Sequence, residues 1–363
     1  MKRAATNLLL RTQRHAPAGL ISRVADNCFW FGRYLERAES TARQLQAISS
    51  LALDGELTVR QCWQPVVIVA GEEEAFRERY GEAAFDNGEL VQRLFVWDEQ
   101  CWVSLARSIN AARENARAIR EVLSGDVWET VNELYLWLQD AGNATFQWHR
   151  DDFYRRVRQM TQLALGLMRS TMLHDTALDF IWLGVMLERT NQTARLLDVH
   201  HYALATRDEA GQKAHQVVET AMWVTLLRAC SGLEPFMKSH AGRVTAHEVA
   251  SFLVTDARFP RSITYSLHAA YERFCFLRPP QDVGLPGGDT LALLARLDTW
   301  VAGLPEQLPD LHGILTYIVD ETARIAATMG RELLGYDPLP GAEVDDEDGE
   351  QGGPSQTQSQ TSG

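Results

Sequence analysis

The sequence predicts an all-α fold, an internally duplicated helical bundle of two pseudo-equivalent halves. One stretch occurs twice: Phe29-Trp30-Phe31-Gly32-Arg33-Tyr34-Leu35-Glu36-Arg37-Ala38-Glu39-Ser40-Thr41-Ala42-Arg43-Gln44-Leu45 is answered by Ile181 to Leu197. Trp, Gly, Leu-Glu-Arg, Thr-Ala-Arg and the final Leu all recur at one offset, the 152 residues from Trp30 to Trp182, and a long self-match of this kind marks a repeated structural unit. In both copies the apolar positions step by 4 and 3, through Phe31, Leu35, Ala38, Ala42 and Leu45 and through Leu183, Leu187, Thr190, Ala194 and Leu197, which is the seam of a packed helix. A second match follows: Asp98, Ser104, Ala112 and Glu114 are answered by Asp256, Ser262, Ala270 and Glu272, each 158 residues on. The drift from 152 to 158 is a small loop insertion.

Residues 1–19 read as a loose basic arm that could precede the true start, 20–172 as the first helical half, 173–337 as the second, and 338–363 as a disordered tail. The first repeat helix opens at a cap, Ser22 or Asp26, and runs to about Leu53. Val66-Val67-Ile68-Val69-Ala70-Gly71 is short and apolar enough for a strand, but among helical patterns it reads as a buried helix. Another helix, near Leu90 to Val96, leads to Asp98, and from Ser104 the positions Leu105, Ile109, Ala112, Ala116, Ile119 and Leu123 again step by 4 and 3. Ser124-Gly125 ends that helix, Asp126 and Glu129 form a capping box for Val127 to Gln139, and Asp151 opens a helix that closes the half near Met172. After the second Leu-Glu-Arg helix come Ala214 to Cys230 and a helix capped by Thr245 and Glu248. The Pro/Gly loop Pro279 to Asp289, a short helix Leu291 to Val301 and a long one Leu311 to Leu334 complete the half. From Leu339 the chain turns acidic and then Gln/Ser-rich, with too little apolar surface to order itself.

At 363 residues the chain is long enough for two domains or one large pseudo-repeat core. Its formal net charge is −13, and six acids lie between Glu343 and Glu350; no basic footprint for general nucleic-acid binding remains. Cys28, Cys62, Cys101, Cys230 and Cys275 are odd in number and far apart, so they read as free thiols of a cytoplasmic protein. The basic start holds only Leu8-Leu9-Leu10 as an apolar run and no cleavage pattern. No apolar run reaches the ~20 residues of a membrane span.

Gly32, Glu36, Glu39 and Arg43 fall one residue along from the seam, and Arg33 and Arg37 lie on its other flank, so Glu36 and Glu188 sit at the edge of the core. A carboxylate there is costly unless it is paired and hydrogen-bonded. Its partners are arginines on the same helix, as in the i,i+4 pair Glu39 and Arg43, or on the other copy. Leu-Glu-Arg is then either a clamp between the halves or the wall of a shared cleft for an anionic or amine-bearing ligand. Arg113, Arg117 and Arg120 gather on one side of the helix carrying Ala112-Arg113-Glu114-Asn115-Ala116-Arg117. Phe259-Pro260-Arg261-Ser262 either starts a helix or sets Arg261 and Ser262 beside free backbone N–H groups as an anion site. A di-iron bundle needs Glu-x-x-His on two helices, and no His here has a Glu three residues before it. His200-His201 reads as a surface pair at a helix end and His268 with Glu272 as an ordinary i,i+4 pair, so no metal site is expected. No nucleotide-binding glycine loop and no G-x-S-x-G is present, and the ten tryptophans read mainly as core.

Trp30 to Arg43, Ala112 to Arg117, Trp128-Glu129 with Asn132-Glu133-Leu134-Tyr135, Leu187-Glu188-Arg189 and Phe259 to Ser262 occur together and in this order. In that combination the chain resembles the bacterial alpha-E family, over about residues 20 to 334. The resemblance implies an all-helical domain without established activity, a partner of circularly permuted ATP-grasp ligases, encoded beside transglutaminase-like proteins and a proteasome-like peptidase. ATP-grasp enzymes join a carboxylate to an amine through an acyl phosphate. The implied role is therefore that of a non-catalytic accessory or substrate-presenting subunit in peptide or amide bond formation or peptide modification. It would have no cofactor of its own, ATP and magnesium coming from the ligase. Two alternatives stand beside it: an independent enzyme with Glu36 or Glu188 as general base and arginines holding a carboxylate or phosphate, and a homo-oligomeric scaffold. The candidate ligand- or partner-binding residues are Arg33, Glu36, Arg37, Glu39, Arg43, Arg113, Glu114, Asn115, Arg117, Glu188, Arg189, Arg195, Arg261 and Ser262. Val185 stands where the motif has Arg, Asn191 where it has an acid, and Trp102-Val103 where the first half has a more polar, Pro-containing start, which makes the first copy the more complete one.

Overall fold

The computed structural model describes residues 20–53, 57–205, 212–240 and 244–336, with side chains except at 201–205 and 212–217. The basic arm and the acidic tail lie outside the described residues. Every regular element among those residues is helical. The chain forms α1 (Ser22–Leu53), α2 (Val59–Ala70), α3 (Glu73–Tyr80), a 3-10 turn (Glu82–Asp86), α4 (Gly88–Trp97) and α5 (Leu105–Ala118). It continues with α6 (Gly125–Asp140), α7 (Gly142–Trp148), α8 (Arg150–Thr171), α9 (Thr176–Ala205) and α10 (Gln212–Ala229). Next come α11 (Leu233–Ser239), α12 (Ala246–Thr255), α13 (Ile263–Leu277) and α14 (Gly288–Ala302). Last is α15 (Leu311–Met329), which runs into a π-turn at Gly330–Leu334.

The frame is the pair of long helices α1, of 32 residues, and α9, of 30. They pack on each other, with α5 and α8 against α1 and α13 and α15 against α9. All ten seam positions, from Phe31 to Leu45 and from Leu183 to Leu197, are at most 1% exposed, as the helical periodicity predicts. The core forms two clusters, and α1 belongs to both. Ala25, Cys28, Phe29, Phe31 and Leu35 pack mainly with α9 and α12 to α15, whereas Ala38, Ala42, Leu45, Ile48 and Leu51 pack mainly with α2 to α8.

Two glycines let the frame helices touch. A Cβ on Gly32 would land on the carbonyl oxygen of Ile181, and one on Gly184 on that of Phe29. Any larger residue at either position therefore forces the backbones apart.

Several local signals differ from the sequence reading. Val66 to Ala70 lies in a helix as expected, but that helix, α2, starts earlier, at a Thr58–Gln61 capping box. The Asp126–Glu129 box is not formed: α6 starts at Gly125, and Ser124 caps it by accepting from the Val127 N–H at 3.4 Å. Asp126 then lies in the first turn, where its charge meets the positive end of the helix dipole. The helix from Ser104 ends at Ala118 and gives way to hydrogen-bonded turns, although Ile119 stays fully buried. Asp26 is no cap. It lies inside α1 and accepts from the Tyr336 hydroxyl at 2.7 Å, while that hydroxyl accepts from Trp30 Nε1 at 2.8 Å.

Gly184→Ala should destabilise the protein by about 3 kcal/mol, because the α1–α9 contact is backbone on backbone and cannot yield locally. Gly166→Ala, on an open face of α8 with nothing within 4 Å of the new Cβ, should instead raise stability, by about 0.5–1 kcal/mol. Urea unfolding of both variants checks the pair; equal effects would mean that the helices do not meet at the glycines.

Candidate functional site

One turn beyond the two glycines the Leu-Glu-Arg triplets of α1 and α9 face each other. Glu36 and Glu188 are both 0% exposed. Arg189 donates to Glu36 through Nε at 3.0 Å and Nη2 at 2.8 Å. Arg37 donates to Glu188 in the same way, through Nε at 2.8 Å and Nη2 at 3.0 Å. Such two-pronged guanidinium–carboxylate contacts are the strongest hydrogen bonds side chains make.

Each carboxylate also holds a second arginine. Glu36 takes Arg261, from the turn before α13, at 2.9 Å, and Glu188 takes Arg33 at 2.7 Å. Arg261 reaches on to Glu39 at 2.5 Å, where Gln162 at 3.1 Å and Arg43 also donate. Burial alone would raise the Glu39 carboxyl, but Arg261 and Arg43 bring it down to about 2. Glu188 follows the same balance: burial opposes its charge, and Arg37 and Arg33 override it and hold the carboxyl far below the usual range.

Aromatic rings close the outer side. The Arg37 guanidinium lies 4.7 Å from the Trp102 ring centre and 5.4 Å from that of Tyr34, and Arg33 lies 5.2 Å from Trp30. Trp102 is itself fixed by its indole N–H, which donates to the Ala70 carbonyl at 3.0 Å.

The structure thus brings eight of the candidate residues to one crossing as an ionic network of two clusters, Glu36 and Glu39 with Arg43, Arg189 and Arg261, and Glu188 with Arg33 and Arg37. Arg195 stands at its edge, bonded to Asn191 at 3.0 Å and 6.0 Å from the Trp102 ring. Ser262 takes the helix-start role: it caps α13 by accepting from the Tyr265 N–H at 3.1 Å and donates to the Asp256 carbonyl at 2.6 Å. The anion site read at Arg261 and Ser262 is not formed, because Arg261 turns inward to the two glutamates.

Arg113, Glu114, Asn115 and Arg117 are not brought to the network. Arg113 sits toward α6, donating to Asn132 at 3.1 Å and to Glu114 at 2.6 Å with Tyr135 4.6 Å from its guanidinium. Arg117 pairs with the same Glu114, and Asn115 donates to the Ala111 carbonyl at 2.7 Å.

The sequence reading missed Gln162 and Gln192, which donate to Glu39 at 3.1 Å and to Glu188 at 3.0 Å. Gln192 is one turn after Glu188 and was within reach of an i,i+4 argument; Gln162 comes from α8 and carried no local signal. His200 requires a correction. It is 3% exposed, bonded to the Leu196 carbonyl at 2.9 Å, because α9 continues past it to Ala205 rather than ending at the pair. Burial lowers its imidazole to about 4. The side chain of His201 lies outside the described residues.

Glu188→Gln leaves Arg33 and Arg37 buried without a counter-charge and should cost about 3–5 kcal/mol in denaturant unfolding. A loss below about 1 kcal/mol would match an exposed pair and sink the reading. The pH response follows from linkage, in which stability rises with pH wherever the unfolded chain binds more protons. His200 goes from 6.5 unfolded to about 4 folded, and Glu39 from 4.5 to about 2. Both contributions are complete above 6.5. Stability should fall as pH drops from 6.5 toward 4 through His200, and from 4.5 toward 2 through Glu39. His200→Asn should remove the upper limb alone, as read by unfolding midpoints across pH.

No helix among the described residues is long and apolar enough to cross a membrane. The chain is 24% identical over 261 residues to an uncharacterized protein of Mycobacterium bovis, and equally to two of Mycobacterium tuberculosis. The match covers 68% of this chain and 28% of each relative, so the chain spans well under half the length of the curated relatives it matches. No solved structure matches it. The model of the Alpha-E family, described as a predicted alpha-helical domain with a conserved ER motif, matches residues 20–333. Glu36-Arg37 and Glu188-Arg189 are Glu-Arg pairs of that kind, at the centre of the helix crossing, and with a match of this extent the chain belongs to the Alpha-E family.

Proposed function

We propose that the chain is a non-catalytic accessory or substrate-presenting subunit that works with an ATP-grasp-type ligase in peptide or amide bond formation or peptide modification. The observation that carries this reading is the state of the motif glutamates, each 0% exposed and each held by two arginines. A general base needs a lone pair within reach of a substrate proton. Glu36 and Glu188 turn theirs to guanidinium groups that join helices. The relatives lend support, since the matched stretch is 28% of chains that carry a great deal more. ATP and magnesium come from the ligase, and the cytoplasm is the compartment in keeping with an odd number of cysteines set far apart in the sequence.

The same reading takes the bundle as two pseudo-equivalent halves, residues 20–172 and 173–337. Reciprocal geometry supports it. Glu36 with Arg189 mirrors Glu188 with Arg37. Thr41 donates to the Val103 carbonyl at 3.4 Å and Thr193 to that of Arg261 at 3.0 Å. Helices α4 and α12 have 10 residues each. The extra arginines come from non-matching places: Arg261 stands at the position of Val103 and Arg33 at that of Val185. Each half nonetheless supplies both arginines that neutralise the glutamate of the other.

Affinity capture of the tagged full chain from its native host, read by mass spectrometry, tests the function. An ATP-grasp ligase should co-elute in comparable amount, and the pair should carry out an ATP-dependent ligation that the ligase alone performs poorly. A chain that returns alone from a host expressing such a ligase overturns the proposal.

A further inference from the structure

Beside the network, where α1 and α8 meet the turn after α10, lies a cleft of about 370 Å³. Arg43, Gln46, Ser50, Arg158, Arg228 and Ser231 line it, with Glu234 as the one acid among its lining residues. Arg43 is 4% exposed, and its Nε is buried without an acceptor. The Arg158 Nε and the Ser231 hydroxyl are buried and unpartnered as well. A buried donor left unmade costs about 1–3 kcal/mol, so three at one cleft call for an acceptor.

The acids nearby do not supply it. Glu39 already takes Arg43, Gln162 and Arg261, and Asp151 takes Gln46 at 2.6 Å and Arg155 at 2.6 Å. Gln46 gives its carbonyl to Arg158. Arg228 has no ion-pair partner among the described residues, and Glu234 is exposed at the rim. Burial and then the charge of Arg43 pull the Arg158 guanidinium below its ordinary basicity, the mark of crowded cations. Ser231 is fixed where it stands: it ends α10 with a left-handed φ of 54°, and the next N–H, of Gly232, closes on the Leu227 carbonyl at 2.7 Å.

We propose that this cleft binds a small-molecule ligand through an oxyanion group, a carboxylate or a phosphate, clasped by Arg43, Arg158 and Arg228 with the Ser231 hydroxyl. Planar guanidinium groups match both anions. The volume, about 370 Å³, falls at the small end of metabolite sites. The site is independent of the ligase partnership, because none of its residues requires a second protein.

Isothermal titration of the full chain at constant ionic strength tests it, with inorganic phosphate and citrate as probes and chloride as the control. At least one probe should bind at a single saturable site. Arg158→Gln and Arg228→Gln should each weaken it about tenfold, and Arg158→Lys by less. Arg228 is exposed and Arg158 half-buried, and circular dichroism checks that both variants keep the fold. Preference for phosphate or for citrate tells a phosphoryl ligand from a carboxylate one. Failure of both probes to saturate, or binding that both Gln variants leave unchanged, overturns the proposal.

Discussion

Glu36 on α1 and Glu188 on α9 each bind a two-pronged arginine from the opposite helix, and this exchange governs the rest of the structure. Neither carboxylate pairs with an arginine of its own helix: Glu36 holds Arg189 and Arg261, and Glu188 holds Arg37 and Arg33. A buried carboxylate without such partners is strongly unfavourable. The two helices therefore gain from packing at one register only. Gly32 and Gly184 bring the backbones close enough for the forks to reach, and the apolar seams on either side exclude water from them. The same ions stand where the two core clusters divide, between Leu35 and Ala38 on α1.

Legibility in the sequence followed the range of the interactions. The seam residues, the helix class and the i,i+4 contact of Glu39 with Arg43 depend on spacing along one helix, which periodicity reports directly. The need of Glu36 and Glu188 for arginines follows from burial, and the other copy is one of the two sources the repeat offers. That Arg261 is one of them does not follow, because its reach to Glu36 depends on how the turn before α13 docks on α1, 225 residues away in the chain. Arg113 shows the converse. Its helix pattern was right, but the side chain faces Asn132 and Tyr135 on α6. Periodicity says which residues share a face, not which neighbour that face meets. His200 failed for a related reason, since its burial follows from how far α9 extends.

The ionic network also has an uneven outer boundary. Toward Trp102 it ends in a ring laid over Arg37, a satisfied and closed contact. Toward Arg158 it ends in donors without acceptors. Within the crossing every carboxylate is held by arginines, which outnumber the acids, and at one margin arginine donors are left without acceptors, so structural and ligand-directed arginines are neighbours on the same helix.

Tyr336, at the far end of the described chain, is hydrogen-bonded to Asp26 and Trp30 at the beginning of α1. Entry and exit of the bundle are therefore side by side. In a longer polypeptide the bundle could be spliced in as a self-contained insert, since host segments before and after it would meet at one face without spanning its length. Sequence joined at either end starts from that same face, and the arginine-lined margin at Arg43 and Ser50 lies farther along α1.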